Sequence, residues 1–141
     1  MRMARLVLLA AVIGVLGALS TACGDDDANS STKLKADLSE WTITLNKTEV
    51  PAGKVMITAK NNSKTEKHEL VVVKSDVAPD KLPVIDGKVP EDSLDAVGEI
   101  AEFDAGKTES KQFDLAAGRY VLMCNLPRHY EQGMHAQLVV K

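Results

Sequence analysis

Residues 118–140 read GRYVLMCNLPRHYEQGMHAQLVV and predict two β-strands. The first ends at Cys124, and a loop joins it to the second, which begins ten positions later at Met134. Side chains repeat every two residues along a strand, so Tyr120 and Cys124 share one face of the first strand. Met134 begins the second strand, and Gly133 permits a backbone turn just before it. Tyr120 stands near the start of its strand, where its hydroxyl can bond back across the preceding turn as a tyrosine corner; an ordinary core tyrosine is the alternative. The segment therefore predicts a hairpin-like loop that can fold its side chains around one point.

The rest of the chain shows similar short segments separated by turns. Further strands are predicted at residues 34–38, 41–45, 55–59, 70–73, 99–103 and 110–115. The run Leu70–Val73 is apolar throughout, as expected for a strand buried on both faces. Residues 75–98 hold three prolines and many acids, which predicts a long excursion with one helical turn near residues 91–96. The whole pattern predicts an all-β fold, a Greek-key antiparallel β-sandwich or barrel of about seven or eight strands.

The first 22 residues have the layout of a secretory signal. Arg2 and Arg5 form a positive start, and an uncharged apolar stretch runs from Leu6 to Leu19. This stretch is shorter than the roughly 20 residues that a membrane-spanning helix needs. We therefore expect an exported protein.

Cys23 refines this expectation. Small residues precede it and acidic residues follow it, an arrangement that resembles a bacterial lipoprotein signal. The resemblance implies cleavage before Cys23 and attachment of a lipid to its thiol. Ser20 departs from that pattern, since leucine is usual there, and an ordinary signal peptide is the alternative. The predicted organisation is a signal peptide over 1–22, a disordered tether over 23–32 and one domain over 33–141, anchored to the outer face of the cell membrane.

Charge and cysteine usage limit the function of this domain. The chain has a formal charge of −3, and removal of the signal takes two arginines with it. An acidic surface argues against nucleic acid as a partner, and we expect a monomer. If Cys23 carries a lipid, Cys124 is a single thiol outside the cytoplasm, which points to a reactive or metal-bound group.

The loop after residue 123 presents three candidate metal ligands. Cys124, His129 and Met134 are each separated by four residues, and His68 precedes the apolar run upstream. Taken singly, each is more often an ordinary core or surface residue. Together, two imidazoles, one thiolate and one thioether suit copper, and a trigonal His₂Cys site with a long axial Met is the blue-copper arrangement.

At these residues the chain resembles the cupredoxins, in particular their plastocyanin-like and sulfocyanin-like bacterial members. The resemblance rests on Gly53-Lys54-Val55, Asn61-Asn62, His68-Glu69-Leu70-Val71-Val72, Gly118-Arg119-Tyr120, Cys124, Pro127, His129-Tyr130 and Gly133-Met134. It implies a Greek-key β-sandwich that binds one copper ion through His68, Cys124, His129 and, axially, Met134. It also implies that His129 lies near the surface in an apolar patch for redox partners, here formed by Leu126, Pro127 and Tyr130.

Three positions depart from the family pattern. Glu69 replaces an asparagine that helps hold the cysteine loop in several relatives, and Asn62 is a possible substitute. Arg128 stands where many relatives have glycine; it either tunes the site or is a solvated loop residue. His135 adjoins Met134 and is the alternative axial ligand, although neighbours on a strand point to opposite faces.

The leading hypothesis is a one-electron carrier with one copper ion, and not an enzyme. The alternative is an exported protein that carries, stores or senses copper, but the sequence has no Met-rich or His-rich tract. A copper enzyme requires a second metal centre or an open substrate position, for which few histidines are left. A sandwich that binds no metal is the fourth possibility.

Overall fold

A computed structural model describes residues 31–141 of the chain. The predicted signal peptide, the predicted lipid-bearing Cys23 and the tether up to residue 30 lie outside the described residues. The first strand begins at Thr32, one residue before the predicted start of the domain. Within residues 31–141, no helix has the length and apolar character needed to cross a membrane.

Nine strands and one short 3₁₀ helix follow one another along the described chain. They are β1 (Thr32–Ser39), β2 (Thr42–Leu45), β3 (Glu49–Val50), β4 (Gly53–Asn61), β5 (His68–Lys74), the 3₁₀ helix (Glu91–Ser93), β6 (Asp95–Phe103), β7 (Thr108–Leu115), β8 (Gly118–Met123) and β9 (His135–Val140). The count exceeds the predicted seven or eight because residues 42–50 hold two short strands.

The strands form two sheets. One has the order β2-β1-β4-β7 and the other the order β3-β9-β8-β5-β6. The predicted all-β sandwich is confirmed, but both sheets are mixed and not antiparallel throughout. β1 pairs with β4, and β3 with β9, in parallel. Both pairs join strands that are distant in sequence, so the connection is long enough for a parallel crossover.

The main core lies between the two sheets and follows the alternation of the sequence. Leu34, Ala36 and Leu38 of β1 are buried, while Lys33, Lys35 and Asp37, which alternate with them, are exposed. β4 buries Val55, Ile57 and Ala59 in the same way. The predicted tyrosine corner is also present, since the Tyr120 hydroxyl donates a 2.8 Å hydrogen bond to the Ala116 carbonyl.

The excursion forms a third layer over the second sheet. We call residues 75–94 the strap. Leu82 and Val89 of the strap are buried against the outer face of β5 and β8, where they meet Val71 and Val121. The apolar run of β5 is therefore buried on both faces, as predicted, because the sandwich core lies on one side and the strap on the other.

Strand directions bring three chain segments to one end of the sandwich. β5 is antiparallel to β8, and β8 is antiparallel to β9. The start of β5, the end of β8 and the start of β9 must therefore lie side by side. These three points carry His68, Cys124 and Met134, respectively.

Candidate metal centre

Three of the predicted ligands meet at this end of the sandwich. His68 Nδ1 lies 3.3 Å from His129 Nδ1 and 3.8 Å from Cys124 Sγ, and His129 Nδ1 lies 3.4 Å from the same sulfur. His68 and Cys124 are fully buried, and His129 is 9% exposed. Within residues 31–141, these three side chains are the group of His, Cys, Asp or Glu donors placed to share a metal ion.

The spacing of the donor atoms fits a single ion. A point in their common plane that is equally distant from all three lies about 2.0 Å from each. For scale, the bonds of Zn²⁺ are about 2.0–2.1 Å to imidazole nitrogen and about 2.3 Å to thiolate sulfur. A trigonal set of two imidazoles and one thiolate is the donor chemistry of blue copper. The residues present therefore fit a copper ion.

Ser63 and the turn around it hold His68 in place. Ser63 Oγ lies 2.6 Å from His68 Nε2. For Nδ1 to offer a lone pair to a metal, Nε2 must carry the proton and donate it to this hydroxyl. Asn61 fixes Ser63 in turn, because its side-chain oxygen accepts the Ser63 backbone N–H at 2.9 Å. No pattern in the sequence pointed to Ser63, so this contact was not predicted.

Burial keeps the imidazoles in the form that binds metal. Removal from water lowers the pKa of His68, and the neighbouring His129 lowers it further. Burial also lowers the pKa of His129. Both rings are therefore biased towards the neutral state, in which a ring nitrogen can bind a cation.

The Cys124 sulfur is buried and accepts backbone hydrogen bonds. The Glu69 N–H lies 3.5 Å from it, and the Leu126 N–H is a second donor. Burial outweighs these donors and raises the pKa of the thiol to about 11. The metal-free thiol is thus protonated at neutral pH, and binding of a cation releases its proton.

Glu69 itself takes over the loop-holding role that was in doubt. Its Oε1 accepts the Asn125 backbone N–H at 3.1 Å, directly after Cys124. Asn62, the suggested substitute, is exposed and its amide donates to Asp37 at 3.0 Å. The suggestion of Asn62 was therefore wrong, because the strand that carries Glu69 already brings a hydrogen-bond acceptor to the loop.

The surroundings of His129 differ in part from the predicted patch. Leu126 is half-buried and Pro127 is exposed, but Tyr130 is only 3% exposed and offers no surface to a partner. The placement of Tyr130 in this patch was therefore wrong, because its ring packs under the strap. The half-buried Trp41, the chain's only tryptophan, instead meets His129 edge-on with ring centres 5.3 Å apart. Nothing in the spacing of the sequence pointed to this contact.

Met134 and His135 point to different sides of β9. Met134 is fully buried in the main core, in the same cluster as Cys124. His135 is half-buried, and its ring centre lies 5.2 Å from that of Tyr130, on the strap side. This placement favours Met134 over His135 as the axial ligand, which stays a prediction.

Arg128 is exposed and has a left-handed backbone, with φ of 68°. Its N–H donates to the Gly87 carbonyl of the strap at 2.7 Å. A glycine adopts this conformation without steric cost. The family resemblance implies a glycine at this position, and the left-handed backbone gives a physical reason for it.

Comparisons with known proteins agree with this geometry. The family described as the sulfocyanin (SoxE) domain matches residues 29–141. A search of curated proteins gives no match.

Several solved structures share the fold. An auracyanin from the photosynthetic bacterium Roseiflexus castenholzii, reduced with dithionite, is 27% identical, and the match covers 79% of this chain and 98% of that chain with a TM-score of 0.61. Auracyanin A from Chloroflexus aurantiacus, described as a "blue" copper protein, is 24% identical over 79% and 100% of the two chains, with a TM-score of 0.58. Rusticyanin from Thiobacillus ferrooxidans is 20% identical over 79% of each chain, with a TM-score of 0.55. With a family match over most of its length and a His–Cys–His cluster that supports one copper ion, the chain belongs to the sulfocyanin (SoxE) family and is a cupredoxin-type blue copper protein.

Proposed function

We propose that the protein is a one-electron carrier whose copper ion is held by His68, Cys124 and His129, with Met134 as axial ligand. A bound copper ion supplies a one-electron couple. The observation that carries the proposal is the assembled donor set, with donor atoms only 3.3–3.8 Å apart in a buried site. A site that is already assembled needs little rearrangement when its charge changes, and this favours fast electron transfer.

Burial of the donors favours a carrier over an enzyme. His68 and Cys124 have no exposed surface and His129 has little. A substrate would need an open position next to the metal, and the described residues leave little access to the three donors. The third histidine, His135, faces Tyr130 and not the cluster. A trafficking protein is disfavoured for a related reason, since copper could leave this site only after the surrounding loop opens.

We place the exchange of electrons at the His129 edge. Of the three donors, His129 is the one with some exposure, and it lies beside Trp41 and the half-buried Leu126. A partner that docks there comes closest to the donor set. The partner would be another redox protein, which meets the half-buried Trp41 and Leu126 and the exposed Pro127.

We further propose that the domain works outside the cytoplasm, anchored by a lipid on Cys23. The support is the signal-like layout of residues 1–22 and the small residues before the cysteine. Expression of the full chain with a labelled fatty acid should label the wild type and not the Cys23→Ser variant. Equal labelling of both would refute the anchor without affecting the copper site.

Spectroscopy of the copper-loaded domain tests the proposed function. Addition of Cu(II) should produce an intense visible thiolate-to-copper band that disappears on reduction, and the reduced protein should transfer its electron rapidly to an oxidised small redox protein. Cys124→Ser should abolish the band. A colourless Cu(II) protein would refute the blue site, whereas a blue protein that exchanges electrons slowly but hands copper readily to an acceptor would favour trafficking.

A further inference from the structure

The strap makes several hydrogen bonds to the segment that carries three of the candidate ligands. We call residues 124–134 the ligand loop. Tyr130 of this loop is the first point of contact. Its hydroxyl donates to the Pro79 carbonyl at 2.6 Å and accepts the Leu82 N–H at 2.9 Å. Both partners belong to the strap, and the tyrosine ring packs among its apolar side chains.

Asn125 is the second point of contact and uses its whole side-chain amide. Its oxygen accepts the Val89 N–H at 2.8 Å, and its nitrogen donates to the Val89 carbonyl at 2.9 Å. The same nitrogen donates to the Glu91 carboxylate at 2.6 Å. Asn125 is 2% exposed, so its two bonds to Val89 are shielded from water, whereas Glu91 is exposed. A buried amide with all these partners defines the position of its backbone closely.

We propose that the strap positions the ligand loop and that Asn125 and Tyr130 are the positioning residues through which it acts. Asn125 directly follows Cys124, and Tyr130 directly follows His129. Each contact therefore fixes the backbone next to one candidate ligand, from the side opposite the donor set. The proposal rests on the proposed copper function and gives the long excursion a role in it.

The bond from the Arg128 N–H to the Gly87 carbonyl adds a third link to the strap, just before His129. The inner side of the loop has its own backbone bonds, such as the Met134 N–H to the His129 carbonyl at 3.2 Å. Those bonds set the shape of the loop, whereas the strap sets its place relative to β5 and His68. Without the strap, His129 and Cys124 would keep their sequence spacing but lose part of their alignment with His68.

Tyr130→Phe tests the proposal, because it keeps the ring and removes both hydroxyl bonds. Tyr120→Phe is a matched control, since it also removes a tyrosine hydroxyl bond. Tyr120 lies four residues before Cys124, about 13 Å from the ligand loop along the strand. Asn125→Ala is the second test variant. Three measurements are made: amide hydrogen exchange of residues 129–134 in copper-free protein, and electron self-exchange and the paramagnetic spectrum in copper-loaded protein.

In Tyr130→Phe, loop amides should exchange about tenfold faster than in wild type, as expected when the bonds of one buried hydroxyl no longer oppose local opening. Self-exchange should slow by about threefold or more, and the copper hyperfine lines should broaden. Asn125→Ala should do the same, and Tyr120→Phe should match wild type in all three readouts. If Tyr130→Phe behaves like Tyr120→Phe while the wild type is blue, the strap does not position the loop. A wild type that never turns blue instead refutes the copper function, and the exchange rates of the copper-free protein still decide the role of the strap.

Discussion

At the scale of single residues, the candidate metal centre depends on neighbouring residues that are not themselves candidate ligands. Ser63 is the clearest example, since its hydroxyl meets His68 Nε2 at 2.6 Å in a buried environment. This contact holds the ring with Nδ1 towards Cys124 and His129, and the hydroxyl is placed to accept the Nε2 proton when Nδ1 binds a metal. Residues that orient a metal-binding histidine are typically worth 10- to 100-fold in metal affinity.

Ser63→Ala should therefore weaken copper binding by about tenfold or more, because the buried Nε2–H loses its acceptor. A competition titration against a chelator measures this change. Ser110→Ala serves as the control, since it removes a hydroxyl that bonds to Thr58 at 2.9 Å on the exposed face of the sandwich. The control should bind copper as wild type does. Equal affinities in all three proteins would show that Ser63 does not orient His68.

Arg128 provides a prediction about the backbone of the ligand loop. A non-glycine residue in the left-handed region costs of order 1 kcal/mol, and Arg128 has φ of 68°. Arg128→Gly should therefore be more stable than Arg128→Ala by about 1 kcal/mol in denaturant unfolding of the copper-free domain, since both lose the same side chain but alanine keeps the Cβ. A glycine variant no more stable than the alanine variant would mean that the loop relaxes around the strain.

At the scale of elements, local patterns predicted best the strands that bury alternate residues or both faces. The alternation in β1 and β4 and the continuous apolar run of β5 correspond to observed burial. The parallel pairs were not predictable in this way, since parallel and antiparallel neighbours produce the same alternation. The packing of the strap was missed for another reason: Leu82 and Val89 stand among prolines and acids with no period.

The candidate metal centre likewise has parts that the sequence predicted and parts that it did not. The ligand loop was visible in the sequence because its three candidate donors share a short segment with regular spacing. Ser63, Trp41 and the strap contacts of Asn125 arise from the way distant segments pack, and no local pattern records such packing. The burial of Tyr130 was missed because the third layer that covers it was not foreseen.

β5 provides the prediction at this scale. Val72 faces the core between the sheets and Val71 faces the strap, and both are fully or almost fully buried. Val71→Thr and Val72→Thr should each lower the free energy of unfolding by about 1–3 kcal/mol, because each buries a hydroxyl in an apolar cluster that offers it no hydrogen-bond partner. Val97→Thr, at a position that is 40% exposed, should change it by no more than about 0.5 kcal/mol. If Val71→Thr resembles Val97→Thr in denaturant unfolding, the strap does not cover that face in solution.

At the scale of the whole molecule, the sandwich is stabilised without metal by two apolar clusters, one on each side of the second sheet. Within residues 31–141, no buried side-chain nitrogen or oxygen lacks a hydrogen-bond partner. The fold thus has the means to form first and to bind copper afterwards. We therefore expect the domain to stay folded without copper, unlike small metal proteins that unfold when the ion is removed.

Removal of copper with a chelator should therefore leave the β-sheet circular dichroism unchanged and lower the melting temperature. Binding to the folded state alone adds RT ln(1 + [L]/Kd) to the free energy of unfolding, about 4 kcal/mol when the free ion is at 1,000 times Kd. The thermal shift should grow with copper concentration in wild type and vanish in Cys124→Ser, whose copper-free form should still melt cooperatively. Loss of sheet signal on chelation would show that the ion is needed to fold the chain, and the three donors could not then be assembled in advance as the proposed electron carrier requires.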